Sequence, residues 1–107
     1  MKLILAIVSN DDSAKVAKEL TRNRFFVTKL ATTGGFLMAG NTTFLLGTDD
    51  NKVDQVIGII GKYSRKRSHM VPSSTSYGAE MNMPFPVEVQ VGGATIFVMN
   101  VERFEKL

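Results

Sequence analysis

Residues 28–47 read Thr-Lys-Leu-Ala-Thr-Thr-Gly-Gly-Phe-Leu-Met-Ala-Gly-Asn-Thr-Thr-Phe-Leu-Leu-Gly, mixing hydrogen-bonding side chains, glycines and an aromatic within a short span. Thr32, Thr33, Asn41, Thr42 and Thr43 offer short polar groups, while Gly34, Gly35 and Gly40 let the backbone take positive φ and approach a partner closely. Phe36, Leu37 and Met38 stand between the glycines. A turn that only reverses the chain needs about two to five residues and no aromatic. The composition therefore points to a loop that grips something flat and apolar with polar edges. Backbone N–H groups and hydroxyls of residues 32–35, with a guanidinium from Arg22 or Arg24, can bind phosphate, and Phe36 can stack on a purine. On composition alone the alternatives stay open: a merely flexible turn, and a Phe36 packed in a core or between subunits.

The rest of the chain offers recognition chemistry and little else. The lone histidine, His69, stands in a basic, serine-rich stretch with no motif marking a nearby serine as nucleophile, and reads as a solvated loop residue. Asp11-Asp12 and Asp49-Asp50 lie where helix caps are expected, so neither pair is assigned to metal or to acid–base work. There is no Walker A sequence, no G-x-G-x-x-G and no histidine pair at metal spacing. No catalytic and no metal residue is expected, and the chain is not read as an enzyme.

The elements that must position these residues follow from periodicity. Residues 2–8 form a continuous Leu/Ile/Val strand, and Asn10, Asp11 and Asp12 read as the N-cap and first turn of a helix ending near Asn23. Val16, Ala17 and Leu20 mark its apolar face; Lys15, Lys18, Glu19 and Arg22 fall mostly on a solvated one. A strand is predicted over 25–31 and another over 42–47. Asp49-Asp50-Asn51 then caps a second helix with the stripe Val53, Val56, Ile57 and Ile60. Val87, Val89 and Val91 alternate with polar residues, Gly92-Gly93 reads as a two-residue hairpin, and 94–101 is the returning strand.

Two such strand–helix–strand units make an α+β fold, a ferredoxin-like split βαβ sandwich with two helices on one face of an antiparallel sheet. The other face must be covered, and a symmetric oligomer with ligand clefts between subunits does so economically. Residues 64–86, with five serines, Gly78 and three prolines, are read as a long flexible loop. Its Tyr77, Met81, Met83 and Phe85 suffice to close over a ligand or partner.

At 107 residues the chain is expected to be one domain, 1–107, able to bury a core without disulfides. It has no cysteine, which removes disulfides, thiolate metal sites and cysteine nucleophiles together. The net charge is +3, with basic clusters at Arg22/Arg24 and Arg65-Lys66-Arg67, a balance that suits small anionic ligands better than polymeric nucleic acid. No apolar run reaches the roughly 18 residues of a membrane helix, and residues 1–8 read as a strand rather than a signal peptide. A cytoplasmic location without membrane contact is expected.

Taken together, residues 28–47, the Pro84-Phe85-Pro86-Val87-Glu88-Val89 segment and Val91-Gly92-Gly93-Ala94-Thr95-Ile96-Phe97-Val98 closely resemble the PII-like cyclic-di-AMP receptor family of Gram-positive bacteria. The resemblance spans nearly the whole chain and is weakest in the long loop. It implies a homotrimer of PII-like subunits holding one cyclic-di-AMP in each intersubunit cleft, signalling without catalysis or cofactor, its loops relaying to an unidentified downstream protein. Position by position, it implies that Thr28 supplies a strand hydroxyl and that Gly35, Phe36 and Leu37 meet the base. Asn41 and Gly47 line the pocket, Phe97 adds an aromatic from the last hairpin, and Lys106 holds the near-terminal polar position that helps close it.

Two positions depart from the pattern: members for comparison carry Asn where this chain has Arg24 and Arg where it has Phe26. If the strand already includes residue 24, then 24, 26 and 28 share one face. Arg24 then supplies the guanidinium and Phe26 adds stacking. The alternative is weakened cyclic-di-AMP binding in a PII-like regulator of another adenine nucleotide such as ATP. A metal-tolerance trimer of the same fold is disfavoured by the lack of cysteine and of paired histidines.

Overall fold

The computed structural model describes residues 1–30, 40–71 and 87–107. The N-terminal apolar run forms β1 (Lys2–Ser9), and its alternation sets the layering. Ile4, Ala6 and Val8 are buried, whereas Leu3, Leu5 and Ile7 on the other face are half-buried. The chain continues through α1 (Asn10–Arg22), β2 (Thr28–Leu30), β3 (Asn41–Thr48), a 3-10 turn (Asp50–Lys52) and α2 (Val53–Tyr63). β4 (Arg67–Val71), β5 (Val87–Val91) and β6 (Ala94–Asn100) follow. One sheet runs β2-β3-β1-β6 with every neighbour antiparallel, and β4-β5 form a separate two-stranded ribbon. This α+β arrangement, with helical crossovers between non-adjacent strands, is consistent with the ferredoxin-like order.

The core lies between the helices and one sheet face. Val16 and Leu20 of α1 and Val56 and Ile60 of α2 are fully buried with Ile4, Ala6, Val8, Phe44 and Leu46. Each such side chain contributes about 1.5–3 kcal/mol by leaving water, except the smaller alanine. The expected stripe on α2 is narrower than predicted, because Ile57 is exposed and Val53 only partly buried. Glu19, expected on the solvated face of α1, is 7% exposed and sits 3.8 Å from Lys15 and 3.7 Å from Arg22.

Local chemistry corrects several boundaries. Ser9, not Asn10, is the N-cap of α1, its Oγ accepting the Asp11 N–H at 3.3 Å. Asn10 instead ties the helix to β3: its N–H donates to the Gly40 carbonyl at 2.7 Å and its Oδ1 accepts from the Thr42 hydroxyl. Asp49 precedes the 3-10 turn without a side-chain cap bond.

The strand predicted over 25–31 begins only at Thr28, because α1 ends in a Schellman motif: Arg24 N–H donates to Thr21 O at 2.9 Å and Phe25 N–H to Leu20 O at 3.0 Å. Arg24 is the left-handed residue that closes it, at φ 68°. Residues 24, 26 and 28 therefore do not share a strand face.

Gly92-Gly93 does not close a hairpin. β5 pairs with β4 and β6 with β1, so the two glycines, at φ 82° and 84°, carry the chain from the ribbon into the main sheet. A Cβ at residue 92 would overlap the Arg65 carbonyl oxygen, which excludes any side chain there. Residues 67–71, placed in the long loop by composition, form β4; the remainder of that segment, 72–86, lies outside the described residues.

Phe44 is 2% exposed at the centre of the core, so Phe44→Ala is expected to lower stability by about 3–5 kcal/mol in urea denaturation. A loss below about 1 kcal/mol would mean that the core does not depend on this ring.

Candidate functional site

Directly opposed residues of an antiparallel pair share a sheet face. The register runs Thr28–Leu45–Leu5–Phe97 in one row across β2, β3, β1 and β6. Asn41 and Gly47 are on β3 at even spacing from Leu45, hence on the same face. Four predicted site residues, Thr28, Asn41, Gly47 and Phe97, thus occupy the face that the helices leave open. All four are exposed, Phe97 by 52%, among the apolar side chains Leu3, Leu5, Ile7, Leu45 and Met99. They are spread out: Asn41 and Gly47 are about 20 Å apart along β3, and Thr28 and Phe97 about 14 Å apart across the sheet.

Two cavities flank this face at opposite ends of β3. The larger, about 430 Å³, is lined by Arg24, Phe26, Gly47, Asp49, Lys52 and Gln55 among others. It unites three predicted residues. Arg24 reaches it from the end of α1, Phe26 from the linker to β2, where it is 92% exposed, and Gly47 from β3. A Cβ at Gly47 would meet nothing closer than 3.9 Å, so packing within the subunit does not require glycine there. The smaller cavity, about 310 Å³, holds Asn41 with Ser9, Lys66, Gly92, Gly93 and Thr95.

Lys106 is exposed in the tail after β6 and lines neither cavity. That tail leaves the sheet beside the larger cavity, with Val101 N–H donating to Met1 O at 3.3 Å and Met1 in the cavity wall. Gly35, Phe36 and Leu37 lie outside the described residues. In β3, Thr43 carries a buried Oγ1 with no hydrogen-bond partner among the described residues.

Sequence reasoning missed Lys52 and Gln55. Their signal was position alone, since both follow within eight residues of Gly47 at the start of the second helix. Arg67, read as part of a basic cluster, is instead engaged within the fold: its guanidinium grips both carboxylate oxygens of Asp12, at 2.9 and 3.3 Å, and the Arg65 carbonyl at 2.8 Å. The Asp12 hydrogen bond raises the Arg67 pKa above its ordinary value. Among the described residues no cluster of His, Cys, Asp and Glu is placed to hold a metal ion.

The Asp50 carboxyl is held below the usual range by a hydrogen bond from the Met1 ammonium 3.0 Å away, against a smaller desolvation effect; the charges of that ammonium and of Lys2 add to the lowering. A depressed carboxyl pKa favours the folded state above the unfolded value near pH ~4 and loses that contribution as pH falls through the folded value. An NMR titration should place the Asp50 midpoint below the ordinary aspartate value, and Asp50→Asn should lessen the acid sensitivity of folding. A second expectation concerns Arg24. Left-handed backbone is unfavourable for arginine and tolerated by asparagine, so Arg24→Asn should raise stability by about 0.5–1 kcal/mol in urea denaturation. A lower midpoint would show that the guanidinium makes stabilising contacts within the fold.

Comparison with known proteins gives the fold and the family. A crystal structure of a functionally unknown protein from Pediococcus pentosaceus ATCC 25745 is similar over 99% of this chain and 96% of its own, at 39% identity and a TM-score of 0.75. The family model for the cyclic-di-AMP receptor matches residues 1–107, the entire sequence, and the chain belongs to the cyclic-di-AMP receptor family.

Proposed function

We propose that this chain is a cytoplasmic signal-transduction protein that binds cyclic-di-AMP in clefts between the subunits of a homotrimer, without catalysis or a cofactor, and relays binding to a downstream protein. The observation that carries the reading is the shared sheet face of Thr28, Asn41, Gly47 and Phe97, uncovered by helices and apolar between the polar groups. Leu3, Leu5, Ile7, Leu45 and Met99 favour association of like faces. A second copy also answers the spacing problem: residues about 20 Å apart in one subunit act on one ligand more readily when neighbouring subunits bring opposite ends of β3 together.

In this reading Gly35, Phe36 and Leu37 hold a base, with Phe36 as stacking plate. Asn41 and Thr28 give hydrogen bonds, Phe97 closes the apolar side, and Lys106 approaches from the tail. Arg24 and Phe26 act through their common cavity beside Gly47 rather than through a shared strand face, with the guanidinium on phosphate and the exposed ring on a base.

Calorimetric titration of the whole chain with cyclic-di-AMP, cyclic-di-GMP and ATP tests this. Saturable heat with cyclic-di-AMP, at one ligand per chain, is expected. Silence with that ligand at protein concentrations above about 100 μM, where affinities weaker than −6 kcal/mol still register, would sink the reading. Arg24→Ala should weaken binding and flatten its dependence on salt, as loss of an ionic phosphate contact requires.

A further inference from the structure

Among the side chains of the Arg24 cavity outside the set that the family resemblance implies are Lys52, on the 3-10 turn, and Gln55, in the first turn of α2. Their backbone is fixed. Lys52 N–H donates to Asp49 O at 3.0 Å, and the residue after Gln55 is Val56, whose side chain is fully buried in the core. Their side chains are exposed and uncommitted among the described residues: neither Lys52 nor Arg24 lies within ion-pair distance of a carboxylate, and the Gln55 amide makes no hydrogen bond.

The acids nearby do not cancel the cations. Asp50 is engaged by the Met1 ammonium, which leaves Asp49 as the acidic side chain in the wall against Arg24 and Lys52. The other amide in the wall, Asn23, donates its Nδ2 to Glu19 O at 2.7 Å and so belongs to the helix end. At about 430 Å³ the cavity falls within the roughly 300–1,000 Å³ of small-molecule sites.

We propose that Lys52 and Gln55 are ligand-binding residues of the nucleotide site, Lys52 pairing with a phosphate and Gln55 setting specificity by reading an adenine edge. The inference rests on the cyclic-di-AMP reading above and deepens it. A glutamine amide presents one acceptor and one donor group side by side, which matches the amino group and N7 of adenine in a bidentate pair. Guanine presents two acceptors at the same edge, N7 and O6, and sets one of them against the amide oxygen. Phe26 provides an apolar plate in the same cavity, and Arg24 and Lys52 offer cations to phosphate.

The test is calorimetric titration of the full chain with cyclic-di-AMP and cyclic-di-GMP at two salt concentrations, for the wild type, Gln55→Ala and Lys52→Ala. Both positions are exposed, and circular dichroism checks that the variants fold. Gln55→Ala is expected to weaken cyclic-di-AMP by about 5- to 100-fold and to narrow its preference over cyclic-di-GMP, the range for one bidentate base contact. Lys52→Ala is expected to weaken both ligands alike and to flatten the dependence of affinity on salt, as loss of one ionic phosphate contact does. A variant that binds as the wild type overturns the role given to its residue. A wild type that binds cyclic-di-AMP while both variants are unchanged overturns this inference alone, whereas a wild type that binds none overturns the receptor reading with it.

Discussion

A four-stranded sheet has two faces, and the two helices of this chain both pack on the same one. Ile4, Ala6 and Val8 point under them and are sealed, while Leu3, Leu5 and Ile7, interleaved on the same strand, point away and remain half-exposed. A strand that is apolar on both sides calls for a cover on both sides, because each leucine-sized side chain left wet forgoes about 1.5–3 kcal/mol. The register then fixes what shares the uncovered face: Thr28, Asn41, Gly47 and Phe97 are brought onto it by strand pairing, from three strands distant in sequence. Ligand recognition and self-association thus draw on a single surface in the proposed reading.

The ribbon of β4 and β5 pairs separately from the main sheet. It joins the main sheet through Gly92 and Gly93, whose positive φ and close approach to the Arg65 carbonyl leave no room for a Cβ at residue 92. Its other tether is Arg67, forked onto the buried carboxylate of Asp12 in the first turn of α1. The first turn also holds Asn10, bonded to Gly40 and Thr42 at the start of β3. The start of one helix therefore bonds both to the ribbon and to the strand that follows residues 31–39. Asp12 is a costly group to leave without its partner, which gives the tether its strength.

Arg24 shows how a helix end and a site share one residue. Leu20 and Phe25, both buried, clamp the Schellman motif, and the residue between them must turn left-handed. Asparagine fits that backbone; arginine adopts it at a cost of about 1–2 kcal/mol. Among the described residues it is the single non-glycine residue at positive φ. A strained residue at a cavity wall with its charge unpaired among the described residues is a common mark of function.

The sequence alone determined the layering and the chemistry class. The continuous apolar run of β1, the 3.6-residue stripes around Val16/Leu20 and Val56/Ile60, and the glycine- and threonine-rich run before β3 are local patterns, and local patterns survive in one dimension. The strand row Thr28–Leu45–Leu5–Phe97 was not readable, because register depends on which strands pair. The hairpin expected at Gly92-Gly93 failed for that reason: two positive-φ glycines are equally at home in a tight turn and in a crossover between sheets, and β5 found its partner in a serine-rich segment whose composition suggested a loop. Arg24 was misplaced because the helix stop lacks its usual glycine. Lys52 and Gln55 join Arg24 in one cavity only when α2 packs beside the end of α1, about 30 residues away in the chain. What the sequence could state was which side chains suit a binding site and what kind of ligand would match them; tertiary structure decided which of them meet, since pairing and packing, not spacing, bring distant residues to a common surface.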